Sequence, residues 1–210
     1  MADLNELSVM VQDGNFKEVE RLTLEALDEG LPAQDILNGG LIVGMNVVGE
    51  RFKKSEIFIP GVLLAARAMK AGMAHVKTIL ADTGAKPVGR VVLGTVEGDQ
   101  HEIGKTVVGM MLEGAGFEVI DLGVDIPSEK FVEAAGEEQA DIVGMSALLT
   151  TTMSHMKTTI EALKSAGLTV KTLVGGAPVT ERFANEIKAD AYAEDAALGV
   201  EKARELLGKK

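Results

Sequence analysis

The hydrophobic period of this chain changes once, just before residue 90, and that change restricts what it can fold into. Phe58, Val62, Ala65, Met69, Met73, Val76 and Leu80 recur at steps of three and four, the spacing of a helix with one apolar face. From Arg90 onward the apolar residues come in short runs instead: Arg90–Val96, Glu118–Leu122, Ile142–Ser146, Thr169–Val174 and Ala191–Ala193. Between and after these runs lie stretches of helical spacing, near 103–115, 128–139, 153–166, 180–188 and 195–207. Short strands with no polar face, alternating with helices, predict a parallel sheet covered on both sides. Five such units fit a flavodoxin-like, Rossmann-type α/β domain whose five strands lie in the order 2-1-3-4-5.

The residues before the change show helical periods only. Asn15 with Glu18 three positions later reads as a capping box, and Gly30-Leu31-Pro32 ends the helix that follows. Ile36 to Phe52 is apolar on most sides, as expected of a central helix in a bundle. Lys53 to Glu56 is a polar break, and Pro60 suits the first turn of the next helix. An N-terminal four-helix bundle is predicted over residues 1–85, then Asp82 to Gly89 as a linker of turn formers, then the α/β domain over 86–210.

Composition narrows the function. Without cysteine there is neither a disulfide framework nor a thiolate metal site. The net charge of −11 leaves no basic patch suited to a phosphate backbone, so nucleic acid is not an expected partner. The acidic, polar start Met1-Ala2-Asp3-Leu4-Asn5-Glu6 does not read as a secretory signal, and no apolar run of about 18 residues is present. A cytoplasmic protein that does not enter membranes is expected.

In a sheet ordered 2-1-3-4-5, ligands bind at the carboxyl ends of the strands where the order switches, between the first and third. The loop after the first strand carries Asp99, Gln100, His101, Glu102, Ile103 and Gly104; the loop after the third carries Ser146, Leu148, Thr150 and Thr152. Both fall on that crevice. A carboxylate two residues from an imidazole can hold one ring nitrogen as donor and leave the other free for a metal. No second histidine or acidic cluster completes a zinc site, so a metal on His101 would draw most of its ligands from a cofactor. Gly175-Gly176 follows the fourth strand and permits close approach of a bulky ligand or simply a tight turn. Gly123 and Asp125-Ile126-Pro127 read as a turn that borders the site.

Asp99-x-His101-x-x-Gly104 resembles the signature of the cobalamin-binding domain of corrinoid methyltransferases and mutases. Ser146-x-Leu148, Thr150 and the Gly175-Gly176 pair match that family's segments around the nucleotide tail. Phe58-Ile59-Pro60-Gly61-Val62-Leu63 and Ala65 to Met69 resemble the helical cap of cobalamin-dependent methionine synthase. Over nearly the whole chain the likeness is to the small corrinoid proteins of anaerobic methyltransferase systems. The resemblance implies cobalamin or a related corrinoid, bound with its own base off cobalt and with His101 as the axial metal ligand. It implies Asp99 as the partner of His101, and Thr152 where relatives often place a serine that extends the chain. Ser146, Leu148, Thr150, Gly175 and Gly176 would line the slot for the displaced base, and Phe58 and Val62 would face the upper side of the corrin. The implied function is a methyl carrier, itself non-catalytic, between a substrate:corrinoid methyltransferase and a second methyltransferase, with methylamines, methanol or methoxylated aromatics as the methyl source. The implied partners are those separate methyltransferase subunits and a reductive activation protein. A cobalamin subunit of a mutase, a cobalamin-dependent sensor and a flavodoxin-like interaction domain without cobalt remain alternatives at the level of sequence.

Overall fold

The computed structural model describes residues 3–82 and 86–209. Two compact units result: Met1–Pro87 with Gly114–Gly116, and Val88–Glu113 with Phe117–Lys210. Thr83, Gly84 and Ala85 of the expected linker, and with them the boundary expected after residue 85, lie outside the described residues.

The first unit holds α1 (Leu4–Gln12), α2 (Phe16–Asp28), α3 (Ala33–Ile36), α4 (Ile42–Lys53) and α5 (Ile59–Asp82). A π-helical turn at Leu37–Leu41 fuses α3 and α4, so these segments make four rods. Half of the expected capping box forms: the Asn15 side chain accepts from the Glu18 N–H at 3.4 Å. The other half does not, because the Glu18 carboxylate takes the Arg21 Nε–H at 2.8 Å and the Asn15 N–H donates to the Met10 carbonyl. The π turn was not foreseen from the apolar period. It coincides with Gly39-Gly40, where α1 lies so near that a β-carbon on Gly40 would come 2.6 Å from Leu7 Cδ2. In α5 the stripe Val62, Ala65, Met69, Val76 and Leu80 is buried. Each such side chain contributes roughly 1.5–3 kcal/mol when aliphatic and large. Phe58 departs from the stripe; it precedes the helix and is 71% exposed. Among the described residues no helix is long and apolar enough to cross a membrane.

The second unit alternates β1 (Arg90–Thr95), α6 (Ile103–Gly114), β2 (Glu118–Asp121), α7 (Ser128–Glu137), β3 (Ile142–Ser146), α8 (Ser154–Ser165), β4 (Lys171–Gly175), α9 (Glu181–Glu186), β5 (Ala191–Ala193) and α10 (Ala196–Leu206). The five strands pair in parallel in the order β2-β1-β3-β4-β5, the order expected. Strands β1 and β3 are buried along nearly their whole length and β4 over its middle three residues, which is why they read as apolar runs. On one side Val92, Val143, Met145 and Val174 meet Phe131, Met156, Ile160 and Leu163 of α7 and α8 in a single core. Strand β4 begins two residues later than the apolar pattern predicts. Its ladder is set by pairing with β3, starting where Ile142 faces Lys171 and the Lys171 N–H reaches the Asp141 carbonyl. Thr95, Ser146 and Gly175 end level with one another at the carboxyl edge.

Candidate functional site

Because β1 lies between β2 and β3, the loop that leaves β1 is bordered by the loops that leave both neighbours. Three ties fix its path. Thr95, fully buried, donates its hydroxyl to the His101 carbonyl at 2.9 Å. The Gly98 N–H donates to Asp125 Oδ1 at 2.7 Å, and the Asp125 N–H donates back to the Asp99 carbonyl at 2.9 Å. The third tie is the Asp99 side chain, which reaches the loop after β3.

Asp99 is 0% exposed. Its Oδ2 accepts from the N–H groups of Leu148 at 2.8 Å and Leu149 at 3.2 Å and from the Thr152 hydroxyl at 2.8 Å. Its Oδ1 accepts from the His101 N–H at 3.1 Å and lies 2.9 Å from His101 Nδ1. The Thr152 oxygen is also 2.9 Å from the Leu149 carbonyl, so its single proton serves one acceptor at a time. Burial pushes the Asp99 carboxyl up; the donors from Leu148, from the backbone and ring of His101 and from Thr152 outweigh it and hold the group well below the usual carboxylate range. A carboxylate that accepts at Nδ1 makes that nitrogen the protonated one. Nε2, on a side chain that is 52% exposed, keeps its lone pair for a ligand.

Other expected site residues take varied places. Gln100, Glu102, Ile103 and Gly104 are exposed beside His101, and Thr150 is exposed in the loop after β3. Ile103 at 74% and Leu148 and Leu149 at 42% are unusually bare for large apolar side chains. Ser146 is half-buried at the end of β3, level with Gly175. The two glycines are accounted for by the protein itself: a β-carbon on Gly175 would lie 2.8 Å from the Ala193 carbonyl, and one on Gly176, at φ +125°, 1.9 Å from the Ala147 carbonyl. Gly104 is the opposite case. It sits in the first turn of α6 with helical φ, and a β-carbon there would meet nothing within 4 Å. Glycine costs a helix about 1 kcal/mol relative to alanine, and no neighbour in the protein requires it here. In the first unit Phe58 is bare, whereas Val62 has no accessible surface and belongs to the core stripe in this conformation.

Sequence reasoning missed the brace formed by Thr95 and Asp125. In the sequence Thr95 reads only as strand, and Asp125 only as part of a bordering turn. Asp125 holds a left-handed φ of +56°, a conformation aspartate tolerates better than most residues; its place between Gly123 and Pro127 was the available signal.

Among the described residues no three His, Cys, Asp or Glu side chains gather to hold a metal ion. His101 therefore offers one donor, and any metal on it must arrive with its other ligands. The fit to a corrin is good in three respects: one imidazole nitrogen is presented on an exposed side chain, the loops after β1 and β3 leave Ile103, Leu148 and Leu149 bare, and the Gly104 position is clear. Models described as the B12 binding domain match residues 89–201 and 3–77. The chain is 46% identical to a corrinoid protein of Desulfitobacterium hafniense (strain Y51), over 100% of this chain and 99% of that one. It is 44% identical to dimethylamine corrinoid protein 3 of Methanosarcina acetivorans, over 99% and 100%. The structure also matches one in the crystal structure of the methanol:cobalamin methyltransferase complex MtaBC from Methanosarcina barkeri, with a TM-score of 0.87, 30% identity, and coverage of 97% of this chain and 79% of that one. Fold and site thus define a B12-binding protein. This chain belongs to the corrinoid protein family, and its cofactor is cobalamin or a related corrinoid.

Proposed function

We propose that this protein carries a methyl group on its corrinoid between two separate methyltransferases, with the cofactor's own base displaced and His101 as the lower axial ligand of cobalt. The observation that carries this reading is the buried Asp99 carboxylate on His101 Nδ1, which leaves Nε2 as the available donor. When bound, the corrinoid supplies a cobalt centre able to accept and release a methyl group. The chain's own residues do the rest. Asp99 orients the imidazole and keeps the proton on Nδ1, and Thr152 supports the far oxygen of Asp99. A proton on Nε2 would remove the donor, so the protonation of this short chain governs whether imidazole can ligate. Ser146, Leu148, Thr150 and the Gly175-Gly176 turn, at the carboxyl edge of β3 and β4, are assigned to the nucleotide tail.

The helical unit is assigned the role of cap, with Phe58 as the residue that meets the upper side of the corrin; its exposure supports this and the burial of Val62 does not. The partners proposed are a methyltransferase that loads the methyl group, a second that removes it, and a protein that reductively reactivates the cofactor, all in the cytoplasm. The relatives named for dimethylamine and for methanol:cobalamin methyl transfer support a methylamine or methanol source. Paramagnetic resonance of the cobalt(II) protein made with 15N-histidine tests the ligand. A hyperfine pattern that changes with the isotope and disappears in His101→Ala is expected; a pattern from the cofactor's own base alone would refute the reading.

A further inference from the structure

Lys105 is among the largest fully buried side chains of the described residues, and nothing in the ligand chemistry above uses it. It lies on α6 four residues before Gly109, whose β-carbon position faces Leu93 and Val119, so it belongs to the sheet-facing stripe of the helix. Its ammonium pairs with Asp121 at the end of β2 and stands 3.7 Å from Glu102 Oε1. Asp121 Oδ1 also accepts the Gly123 N–H at 2.9 Å. The Gly123 carbonyl accepts the Thr95 N–H at 3.0 Å, and the Thr95 hydroxyl holds the His101 carbonyl. From His101 the chain runs four residues back to Lys105. The contacts therefore close a ring: Lys105, Asp121, Gly123, Thr95, His101, and Lys105 again.

Burying an ammonium is costly, and an apolar side chain of the same length would fill this slot at lower cost. The lysine is thus poorly explained by stability alone. Asp99 ties the preceding flank of His101 to the loop after β3. Lys105 ties the following flank to the end of β2. The histidine is suspended between anchors on both neighbours of β1.

We propose that Lys105 is a positioning residue, which through Asp121 sets where His101 stands at the edge of the sheet, while Asp99 sets the tautomer and rotation of its ring. The proposal rests on the reading of His101 as the cobalt ligand. It makes the first turn of α6 part of the ligand's support, and Lys105 and Asp121 a coupled pair rather than an incidental ion pair.

Lys105→Met fills the slot without the charge. Asp121→Asn keeps the acceptor for Gly123 and removes the carboxylate but leaves the ammonium buried, so the double variant Lys105→Met/Asp121→Asn, which strands no charge, keeps the test open where this single variant does not fold. Each is loaded with hydroxocobalamin, reduced to cobalt(II) and compared with wild type by paramagnetic resonance using 15N-histidine protein. The ratio of imidazole-ligated to unligated cobalt should fall about tenfold in both variants. The double variant should fall no further, and Lys130→Met, which breaks an exposed pair on α7, should not change it. In cobalt-free protein, exchange of the Thr106 amide, which closes the first turn of α6 on the Glu102 carbonyl, should quicken about tenfold in both variants. A wild-type ratio with unaltered exchange in either folded variant would overturn the proposal. Absence of a histidine nitrogen in wild type would sink the ligand reading instead, and the exchange measurement would still decide whether Lys105 braces the loop.

Discussion

The carboxylate of Asp99 accepts on both oxygens, and this fixes what an amide in its place can do. In Asp99→Asn one oxygen becomes an NH2 group. If the remaining oxygen faces Leu148, Leu149 and Thr152, the NH2 points at the His101 N–H, donor against donor, and it donates to Nδ1. The ring proton then moves to Nε2, and the lone pair that would bind cobalt is lost although the size of the side chain is kept. We expect the variant to lose imidazole ligation and about 3 kcal/mol of stability, read by paramagnetic resonance and by denaturant unfolding. The pH dependence has a definite sign. The folded-state value of Asp99 is depressed, so its contribution is complete above the ordinary carboxylate value and is lost as pH falls through the folded value. Wild type should therefore lose stability more steeply than Asp99→Asn from about pH 5 downward. Parallel unfolding midpoints for the two proteins across that window would contradict the assignment.

Gly104 separates the stability of α6 from the binding of a ligand. Alanine there adds helix propensity to the first turn of α6 and meets nothing within 4 Å. Cobalt-free Gly104→Ala should be more stable than wild type by about 0.5–1 kcal/mol, yet bind hydroxocobalamin more weakly; unchanged affinity would mean the space serves no ligand. The elements themselves were legible in the sequence because their period was unambiguous. β3 and β5 run over the predicted residues, and the predicted strand order is observed. What escaped was decided by partners distant in sequence. The start of β4 depends on its pairing with β3. The π turn coincides with the close approach of α1 to Gly39 and Gly40. A lysine in a helix reads as solvated unless β2 is known to end in Asp121 beside it. Of the candidate site, the Asp99–His101 contact could be seen in the motif, whereas the ties through Thr95 and Asp125 depend on which loops the sheet makes neighbours.

At the scale of the whole molecule, the helical unit contributes Phe58, an aromatic residue 71% exposed and outside the core stripe. Phe58→Ala should therefore shift unfolding by no more than about 0.5 kcal/mol. If the residue shields the upper side of the corrinoid, the same substitution should speed the photochemical loss of the methyl group from the loaded protein, because fewer separated radicals return to cobalt; equal rates would remove Phe58 from the cap. One further consequence follows from the span of the Asp99 contacts. The carboxylate meets Leu148, Leu149 and Thr152, which lie 49, 50 and 53 residues further along the chain. A ribosome therefore releases His101 well before it releases the groups that hold Asp99, and the imidazole has no fixed tautomer in the interval. Closure of so long a loop comes late in folding. If His101 ligates cobalt as proposed, the nascent chain passes through a period in which the histidine is present but not yet set for the metal, and capture of the cofactor through His101 is expected only after the third strand and its loop have joined the sheet.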